Sequence, residues 1–375
     1  TILVNQEFVE NNLSDKTYEF LTDAEQDITR DIKNQQIESG DISRQISDYL
    51  FEGKSALNGA YSYPKLNGRY IFNFDKKIDN VDSVQHRNPL TVHVVTPLDG
   101  DFQNETDFLQ ASSGIESNAV LVALPATSDY IDQVRRALKI EHFVNTNPTG
   151  RDERYKIMVD ARQGERVQLL KQANIQMTNA LDDADVYVGG RKIESEASFK
   201  NRLDAAMKLL IDNNYRKLDY INAAKSEKDI QDLFDPDRLS IDEGDNRQAL
   251  DALTDWLIQE NQNNTHVTMT SILSKFRGIP YGYTEEDIEW LLAKLVTDGK
   301  LKMFFNGSPI NTLSDGISSK AMTEFFTKKQ KRTNLAFQVR PEIPANKIKK
   351  MREVAAEVFD KKTFDSDNEE QMVSE

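Results

Sequence analysis

The sequence contains no cysteine, only four histidines and no apolar run approaching the roughly 20 residues that a membrane-spanning helix needs. The missing cysteines exclude disulfides, thiolate zinc sites, iron–sulfur clusters and cysteine nucleophiles. A cysteine-free chain also suits a reducing compartment. We therefore expect a cytoplasmic protein that makes no membrane contact.

Length and composition are those of a globular protein. The 375 residues, of which 38% are hydrophobic and 29% charged, predict two or three domains of roughly 150 residues each. Acidic residues outnumber basic ones, so the formal net charge is −15. Because a protein that coats nucleic acid without sequence preference is usually basic, any nucleic-acid contact has to be confined to a local patch.

The charge is distributed unevenly along the chain. Residues 1–50 contain eleven acidic and four basic residues, whereas residues 320–350 contain nine basic and two acidic ones. Residues 351–375 are acidic again, with eight acids against three bases. The stretch from Asp365 onwards lacks an apolar period, which is typical of a tail that does not pack.

Changes of period along the chain predict a multidomain α+β protein. Its expected parts, in order, are a helical segment, a small α/β unit, a helical module with a β-hairpin, a winged helix, and a basic segment followed by the acidic tail. These parts correspond to residues 1–55, 56–145, 146–235, 236–315 and 316–375.

The first two parts are separated by a change from helical to strand periodicity. Residues 18–37 place apolar side chains every three or four positions, which predicts one helix. Asn-Gly dipeptides at 58–59 and 67–68 then indicate a small antiparallel meander, because Asn-Gly tolerates the positive φ of a type I′ turn. Apolar runs at 90–97 and 118–125 are typical of strands covered on both faces.

A long helical pattern follows at 151–184. It ends at the sequence DVYVGGRKIE, in which Gly189-Gly190 predicts a hairpin turn, and a second helical pattern begins at Phe199. We expect these helices to project as a module, and their apolar stripe to be core or a surface for a partner helix rather than a ligand site. The stripe of the first helix comprises Ile157, Ala161, Leu170, Ala173, Met177, Leu181 and Ala184.

Residues 245–312 have the element order of a winged helix: a helix, a short strand, two further helices and a hairpin. Thr284 and Asp287 have capping-box spacing at the start of the third helix, and Gly299 stands where its C-cap is expected. Asn306-Gly307 predicts the hairpin turn. Apolar side chains at i, i+3, i+4 and i+7 support the third helix; they are Ile288, Leu291, Leu292 and Leu295.

One phosphate-binding motif is suggested and then excluded. Gly53-Lys54-Ser55 matches the end of a P-loop, but the motif needs another glycine at the position that Asp48 occupies. A carboxylate there would repel a phosphate, and the preceding sequence ISDYLF is helical rather than an incoming strand. A helix-terminating glycine followed by polar residues explains the pattern better.

No catalytic, cofactor-binding or metal-binding residue is predicted. The histidines, His86, His93, His142 and His266, show no metal-ligand spacing, and no GxSxG or HExxH motif occurs. His93 lies in an apolar strand and is expected to be a hydrogen-bonded core histidine. The acidic group Asp182, Asp183 and Asp185 is expected to form a solvated turn rather than a cation site.

The predicted third helix of the winged helix is poorly suited to DNA. In winged-helix DNA-binding proteins this helix enters the major groove, but here we expect it to expose Glu285, Glu286, Glu289 and Asp298, with Lys294 as its only base. A protein-facing winged helix is therefore favoured over a base-recognising one. The candidate phosphate contacts lie elsewhere: Lys300, Lys302, Lys320, Lys328, Lys329, Lys331 and Arg332. A solvated basic face, or a dock for acidic segments of the same chain, explains this patch equally well.

Four stretches of the sequence resemble the BrxC/PglY family of P-loop ATPases from BREX phage-defence systems. They are YEFLTDAEQDI at 18–28, ESNAVLVALPATSDYIDQVRRAL at 116–138, ADVYVGGRKIE at 184–194 and PYGYTEEDIEWLLAKLVTDGKL at 280–301. The last is the most specific, because Pro280-Tyr281-Gly282 before an acidic helix start is unusual among winged helices. Together they span most of residues 15–305.

The resemblance implies a non-catalytic segment of an ATP-hydrolysing defence protein. Members of that family carry ATP and Mg in an N-terminal P-loop module, so this chain would be a fragment with no cofactor of its own. The resemblance further implies docking to other phage-defence proteins, and it is compatible with self-association and with DNA contact through the basic patch. Two alternatives stay open: a stand-alone winged-helix DNA-binding regulator, which a native start with Met removed would suit, and an enzyme with an unrecognised carboxylate site.

Overall fold

A computed structural model describes residues 9–12, 17–52, 57, 59–82, 88–126, 129–147, 153–194, 198–235, 244–261, 266–310, 316–340 and 345–359. The chain divides into two compact units. The first unit comprises Thr1–Tyr63 and Ile71–Asn213, and the second comprises Pro64–Tyr70 and Asn214–Glu375. No helix among the described residues is long and apolar enough to cross a membrane.

The first unit is built from a mixed sheet and the helices that cover it. Its helices are α1 (Asp23–Lys33), α2 (Ser39–Ser47, continued by a π-helical turn over Asp48–Glu52), α3 (Glu105–Ser113), α4 (Tyr130–Thr146), α5 (Glu153–Asp182) and α6 (Phe199–Asn214). Its strands are β1 (Val9–Asn12), β2 (Thr17–Phe20), β3 (Ala60–Tyr63), β4 (Tyr70–Ile78), β5 (Val81–Asp82), β6 (Leu90–Val95), β7 (Ala119–Ala123), β8 (Asp185–Val188) and β9 (Arg191–Lys192).

The centre of this sheet is parallel, and its strand β6 is buried along its whole length. The strand order is β3-β4-β6-β7-β8-β9, with β5 paired to β4, and β4, β6 and β7 run parallel. Every residue of β6 is buried, as the uninterrupted apolar run predicted. Asn67 and Gly68 both have positive φ, so the second predicted turn is confirmed, whereas Asn58 lies outside the described residues.

The N-terminal helix begins later than predicted. Residues 17–20 form β2, paired with β1, and α1 starts only after Thr22. Thr22 and Glu25 form a reciprocal capping box, in which the Glu25 carboxylate accepts from the Thr22 backbone N–H at 2.7 Å. This cap fixes the helix start at Asp23, and the prediction of one helix from residue 18 was therefore wrong.

The hairpin at 185–192 is part of the first unit's sheet and does not separate a helical module from it. β8 pairs antiparallel with β7, so the hairpin covers the edge that β7 would otherwise expose. The helix before it does not project either, because α5 packs on α4. Of the predicted stripe, Ile157 is 62% exposed and Ala161 is also exposed, whereas Val159 and Leu169 are the residues that the helix buries there.

The second unit contains the predicted winged helix. Its elements are a 3-10 turn (Leu218–Tyr220), α7 (Glu227–Leu233), α8 (Arg247–Glu260), α9 (Met269–Arg277), α10 (Glu285–Thr297), α11 (Ser319–Thr327), α12 (Lys329–Arg332) and α13 (Ala345–Phe359), with strands β10 (Val267–Thr268), β11 (Leu301–Phe305), β12 (Ser308–Ile310) and β13 (Leu335–Val339). Helices α8, α9 and α10 and the β11–β12 hairpin follow the predicted order.

A strand beyond the predicted boundary completes the winged-helix sheet. The strand order is β10-β13-β11-β12, so β13 lies between the short strand β10 and the hairpin. Leu335 and Phe337 on β13 are buried. Residues 319–339, predicted as a basic segment separate from the winged helix, are therefore folded against it.

Candidate nucleic-acid interface

Helix α10 is the element that would enter a DNA groove if this winged helix recognised bases. It begins as the sequence predicted. Thr284 is the N-cap and Asp287 closes the capping box, with the Asp287 carboxylate accepting from the Thr284 backbone N–H at 3.1 Å. The apolar residues predicted for its inner face, Ile288, Leu291, Leu292 and Leu295, are all buried.

The rest of the second unit encloses α10. Nine of its thirteen residues are buried, including the two charged residues Asp287 and Glu289. Helices α7, α8, α9 and α11 and strand β11 all pack against it. A recognition helix needs an exposed face to meet base edges, and α10 presents almost none.

A buried network fixes the N-terminal half of α10 to α12. Arg332 places its Nη1 2.5 Å from Glu289 Oε1 and its Nη2 2.5 Å from Glu285 Oε2. Glu285 also pairs with Arg277 of α9 at 2.8 Å. Burial raises the pKa of Glu289 to about 7, and the Arg332 guanidinium opposes that rise.

This network corrects the prediction for two of the four carboxylates that were expected to be exposed, Glu285 and Glu289. Glu289 is buried and Glu285 is half-buried between two arginines, because both carboxylates face basic residues of the same chain. Asp298 is exposed, as predicted, and pairs with Lys294 at 2.5 Å. Glu286 remains exposed, with a side-chain exposure of 58%.

A second buried contact ties the loop at 64–70 to the same helix. The Tyr70 hydroxyl donates to Asp287 Oδ2 at 2.8 Å, and Arg69 Nη2 lies 3.3 Å from Asp287 Oδ1. Burial, together with the nearby Asp287 carboxylate, raises the pKa of Tyr70. Sequence analysis missed Tyr70 and Arg69, because no local pattern links residues 217 positions apart.

The candidate phosphate contacts separate into two groups. Arg332 and Lys331 are engaged within the protein: Arg332 holds Glu285 and Glu289, and Lys331 Nζ lies 2.7 Å from Glu324. The other group is exposed and consists of Lys300, Lys302, Lys320, Lys328 and Lys329. In this group Lys328 has a loose contact with Glu227 at 3.8 Å.

Helix α13 carries further exposed bases together with exposed apolar residues. Lys347, Lys349 and Lys350 are exposed at its start. Val354 and Val358 follow one turn apart, with 47% and 64% of their surface exposed. This helix therefore combines positive charge at its start with two exposed valines, which lie beside the exposed Glu353 and Glu357.

The structure describes some of the other residues that the sequence singled out. His93 is buried, with its Nε2 2.9 Å from the Asp79 carbonyl oxygen, and the predicted core histidine is confirmed. Asp48 begins a π-helical turn, so the segment before Gly53 is helical as predicted, while Gly53-Lys54-Ser55 lies outside the described residues. Among the residues that the structure describes, no group of three or more acidic or histidine side chains could hold a metal ion.

Two family models match the chain. The model of the BREX ATP-binding protein BrxC 4th domain, described as having a six-stranded β-sheet, matches residues 35–210. The model of the BrxC winged helix-turn-helix domain matches residues 217–341. The two matches meet where the structure divides into its two units, and the second includes β13. No solved structure matches the chain.

Proposed function

The chain belongs to the BrxC family of BREX ATP-binding proteins, and from that membership we propose that it provides non-catalytic docking surfaces for other proteins of an antiviral defence complex in the cytoplasm. The observation that carries this proposal is the enclosure of α10. Because most of α10 is covered by its own chain, this winged helix is poorly suited to laying its third helix in a DNA groove, and contact with another protein is the favoured use of the domain.

Helix α13 is the docking element that we propose. Its two exposed valines supply apolar area, and its three exposed lysines favour an acidic partner. An apolar stripe flanked by charge is the arrangement by which an amphipathic helix binds a groove of another protein. The proposed occupant is therefore an acidic, apolar-lined surface of another protein of the same defence system.

Co-purification of the full chain with the other proteins of its BREX system tests this proposal. The double variant Val354→Asp and Val358→Asp should lose the partner, because two carboxylates would enter the apolar contact. The matched control is Val167→Asp, which places the same charge at a valine 57% exposed on α5 of the first unit. Retention of the partner by the double variant, or equal loss with the control, would contradict the proposal.

We propose in addition that this chain does not hydrolyse ATP. No P-loop occurs in its sequence, because Asp48 stands where the motif requires glycine. ATP and Mg would bind in the P-loop module that members of the resembled family carry. Purified chain should show no ATP turnover, and turnover that disappears in Lys54→Ala would contradict this.

A second candidate function is phosphate contact with DNA by the exposed lysines. Exposure of Lys300, Lys302, Lys320, Lys328 and Lys329 supports it. Such contact would carry no sequence preference, because phosphates are the same at every base pair. The alternative of a stand-alone regulator that recognises bases gains no support from an enclosed α10.

A further inference from the structure

A cavity of about 530 Å³ in the second unit is used by none of the functions proposed above. Its lining includes residues from the 3-10 turn, α8, α9 and the turn at 278–283, which contains the distinctive sequence Pro280-Tyr281-Gly282. The volume lies within the range of about 300–1,000 Å³ that is usual for small-molecule sites. Three aromatic residues line it: Tyr220, Trp256 and Tyr281.

The aromatic wall of the cavity is fixed from behind. Phe276 stacks obliquely on Tyr281 at a centroid distance of 4.3 Å and meets Trp256 edge-on at 5.5 Å. Gly282 has φ +70° and lies so close to Tyr215 that a Cβ would stand 2.7 Å from its ring, so only glycine fits there. The turn is thereby held in the conformation that presents Tyr281.

One lysine of the cavity is held by the same wall. The Lys217 backbone N–H donates to the Pro280 carbonyl at 2.9 Å, and the Tyr283 hydroxyl donates to the Lys217 carbonyl at 3.2 Å. Lys217 Nζ lies 5.0 Å from the centroid of the Tyr281 ring. A positive charge is therefore fixed beside the aromatic surface before any ligand arrives.

The remaining charged groups of the cavity have no ion pair among the described residues. Asp251 and Asp255 lie one turn apart on α8 and so share one face, and Lys275 comes from α9. All three are exposed, which leaves them free to meet a ligand. The cavity thus offers flat aromatic surface, two cations and a pair of hydrogen-bond acceptors.

We propose that this cavity binds a guanine nucleotide unit. The base would stack on Trp256, and its edge would meet Asp251 and Asp255. The phosphate would lie at Lys217 and Lys275. A carboxylate accepts two adjacent donors, and guanine presents two, N1–H and the N2 amino group. Adenine presents an amino group beside an acceptor nitrogen, which a carboxylate repels. Aromatic stacking holds any base, and lysine binds phosphate as a point charge.

A basic peptide explains the cavity less well. An arginine side chain would suit Trp256 and the two aspartates, but Lys217 and Lys275 would repel it. A nucleotide unit gives each of these charged groups a favourable partner. The unit could belong to a free nucleotide or to a single strand of nucleic acid, and the experiment separates these two sources.

Fluorescence of the full chain tests the proposal directly. Both tryptophans lie in the second unit, and Trp256 should be quenched when a base stacks on it. Guanosine monophosphate, adenosine monophosphate and a guanine-rich deoxyoligonucleotide are titrated separately up to roughly 1 mM, the weak end of the affinity scale. A Trp256→Phe variant keeps Trp290 and corrects for absorption of light by the nucleotides.

The expected result is saturable quenching in which guanosine monophosphate or the oligonucleotide binds about tenfold more tightly than adenosine monophosphate. Saturation by the free nucleotide assigns the site to nucleotides, and saturation by the oligonucleotide alone assigns it to a strand. Lys275→Glu and Asp255→Asn, both exposed changes, should each weaken binding about tenfold, whereas Lys328→Glu outside the cavity should not. No saturable quenching by any of the three ligands, saturation by guanosine and adenosine monophosphate with equal affinity, or indifference to both cavity variants would overturn the proposal.

Discussion

Arg332 and Lys328 lie four positions apart in one basic stretch, yet the fold uses them in opposite ways. The Arg332 side chain is 14% exposed and holds two carboxylates of α10, whereas the Lys328 side chain is 59% exposed with one loose contact. Arginine suits the first role because its planar fork meets two carboxylates at once. A run of bases in sequence therefore does not define one surface, and its members separate into internal pairing partners and external charges.

The largest loss of stability is expected when Arg332 is replaced. Arg332→Ala leaves Glu289 buried without its partner, and we expect unit 2 to lose about 3 kcal/mol of stability. Urea unfolding followed by tryptophan fluorescence measures this, because Trp256 and Trp290 both lie in that unit. Lys328→Ala is the matched control and should change stability by less than about 0.5 kcal/mol. Equal losses of stability in Arg332→Ala and Lys328→Ala would contradict the different roles given to these two residues.

The loss in Arg332→Ala should depend on pH. Burial raises the pKa of Glu289 to about 7 in the folded protein, above its ordinary value, so the fold binds a proton that the unfolded chain has released. The contribution of Glu289 to the stability of the fold therefore falls as the pH rises from the ordinary pKa of 4.5 to about 7. Without Arg332 the folded pKa rises further, and the extra loss should be greater at about pH 8 than at about pH 6. Glu289→Gln in the same background should abolish this difference.

A smaller loss of stability is expected when the hydrogen bond between Tyr70 and Asp287 is removed. Tyr70→Phe removes the hydroxyl that donates to the buried Asp287, while Arg69 and Thr284 still contact that carboxylate. We expect a loss of about 2 kcal/mol, the usual cost when a buried acceptor loses one donor. Tyr49→Phe is the control, since its hydroxyl meets Thr178 at an exposed position. Circular dichroism during urea unfolding compares the two, and an unchanged Tyr70→Phe would show that the contact adds nothing.

Local sequence patterns predicted the buried contacts of α10 only in part. The Thr284–Asp287 capping box was predictable because its partners lie three residues apart, and the buried apolar face of α10 followed from helical spacing. The partners of Glu289 and Asp287 come from 43 and 217 positions away, and no spacing rule connects them. Glu289 was expected to be exposed because charged side chains are rarely buried unless they are paired.

Some missed elements did leave a signal in the sequence. Leu335, Phe337 and Val339 alternate within the basic stretch, and this period of two is that of the strand β13. The capping pair Thr22 and Glu25 likewise marked the true start of α1. The pairing of β8 with β7 had no such signal, because strand partners are chosen by the packing of the whole sheet.

The smallest effect on stability is expected from the external charges. Replacing Lys320, Lys328 and Lys329 by alanine together should leave stability within about 0.5 kcal/mol of the parent. If duplex DNA binds through these lysines, the log–log salt slope should become less steep by roughly 3, and affinity should fall equally for all sequences. A titration at several salt concentrations checks this. An unchanged slope in the triple variant would exclude these lysines as phosphate contacts.

Selection from a random duplex library tests the enclosure of α10 most directly. The full chain is incubated with the library at low salt, and bound duplexes are recovered and sequenced. Because α10 has almost no exposed face, we expect no enriched motif, and any retention should disappear as salt is raised. The contradicting result is an enriched sequence motif. If recovery of that motif were lost in Lys294→Ala and Lys302→Ala but kept in the triple variant of Lys320, Lys328 and Lys329, α10 would meet base edges.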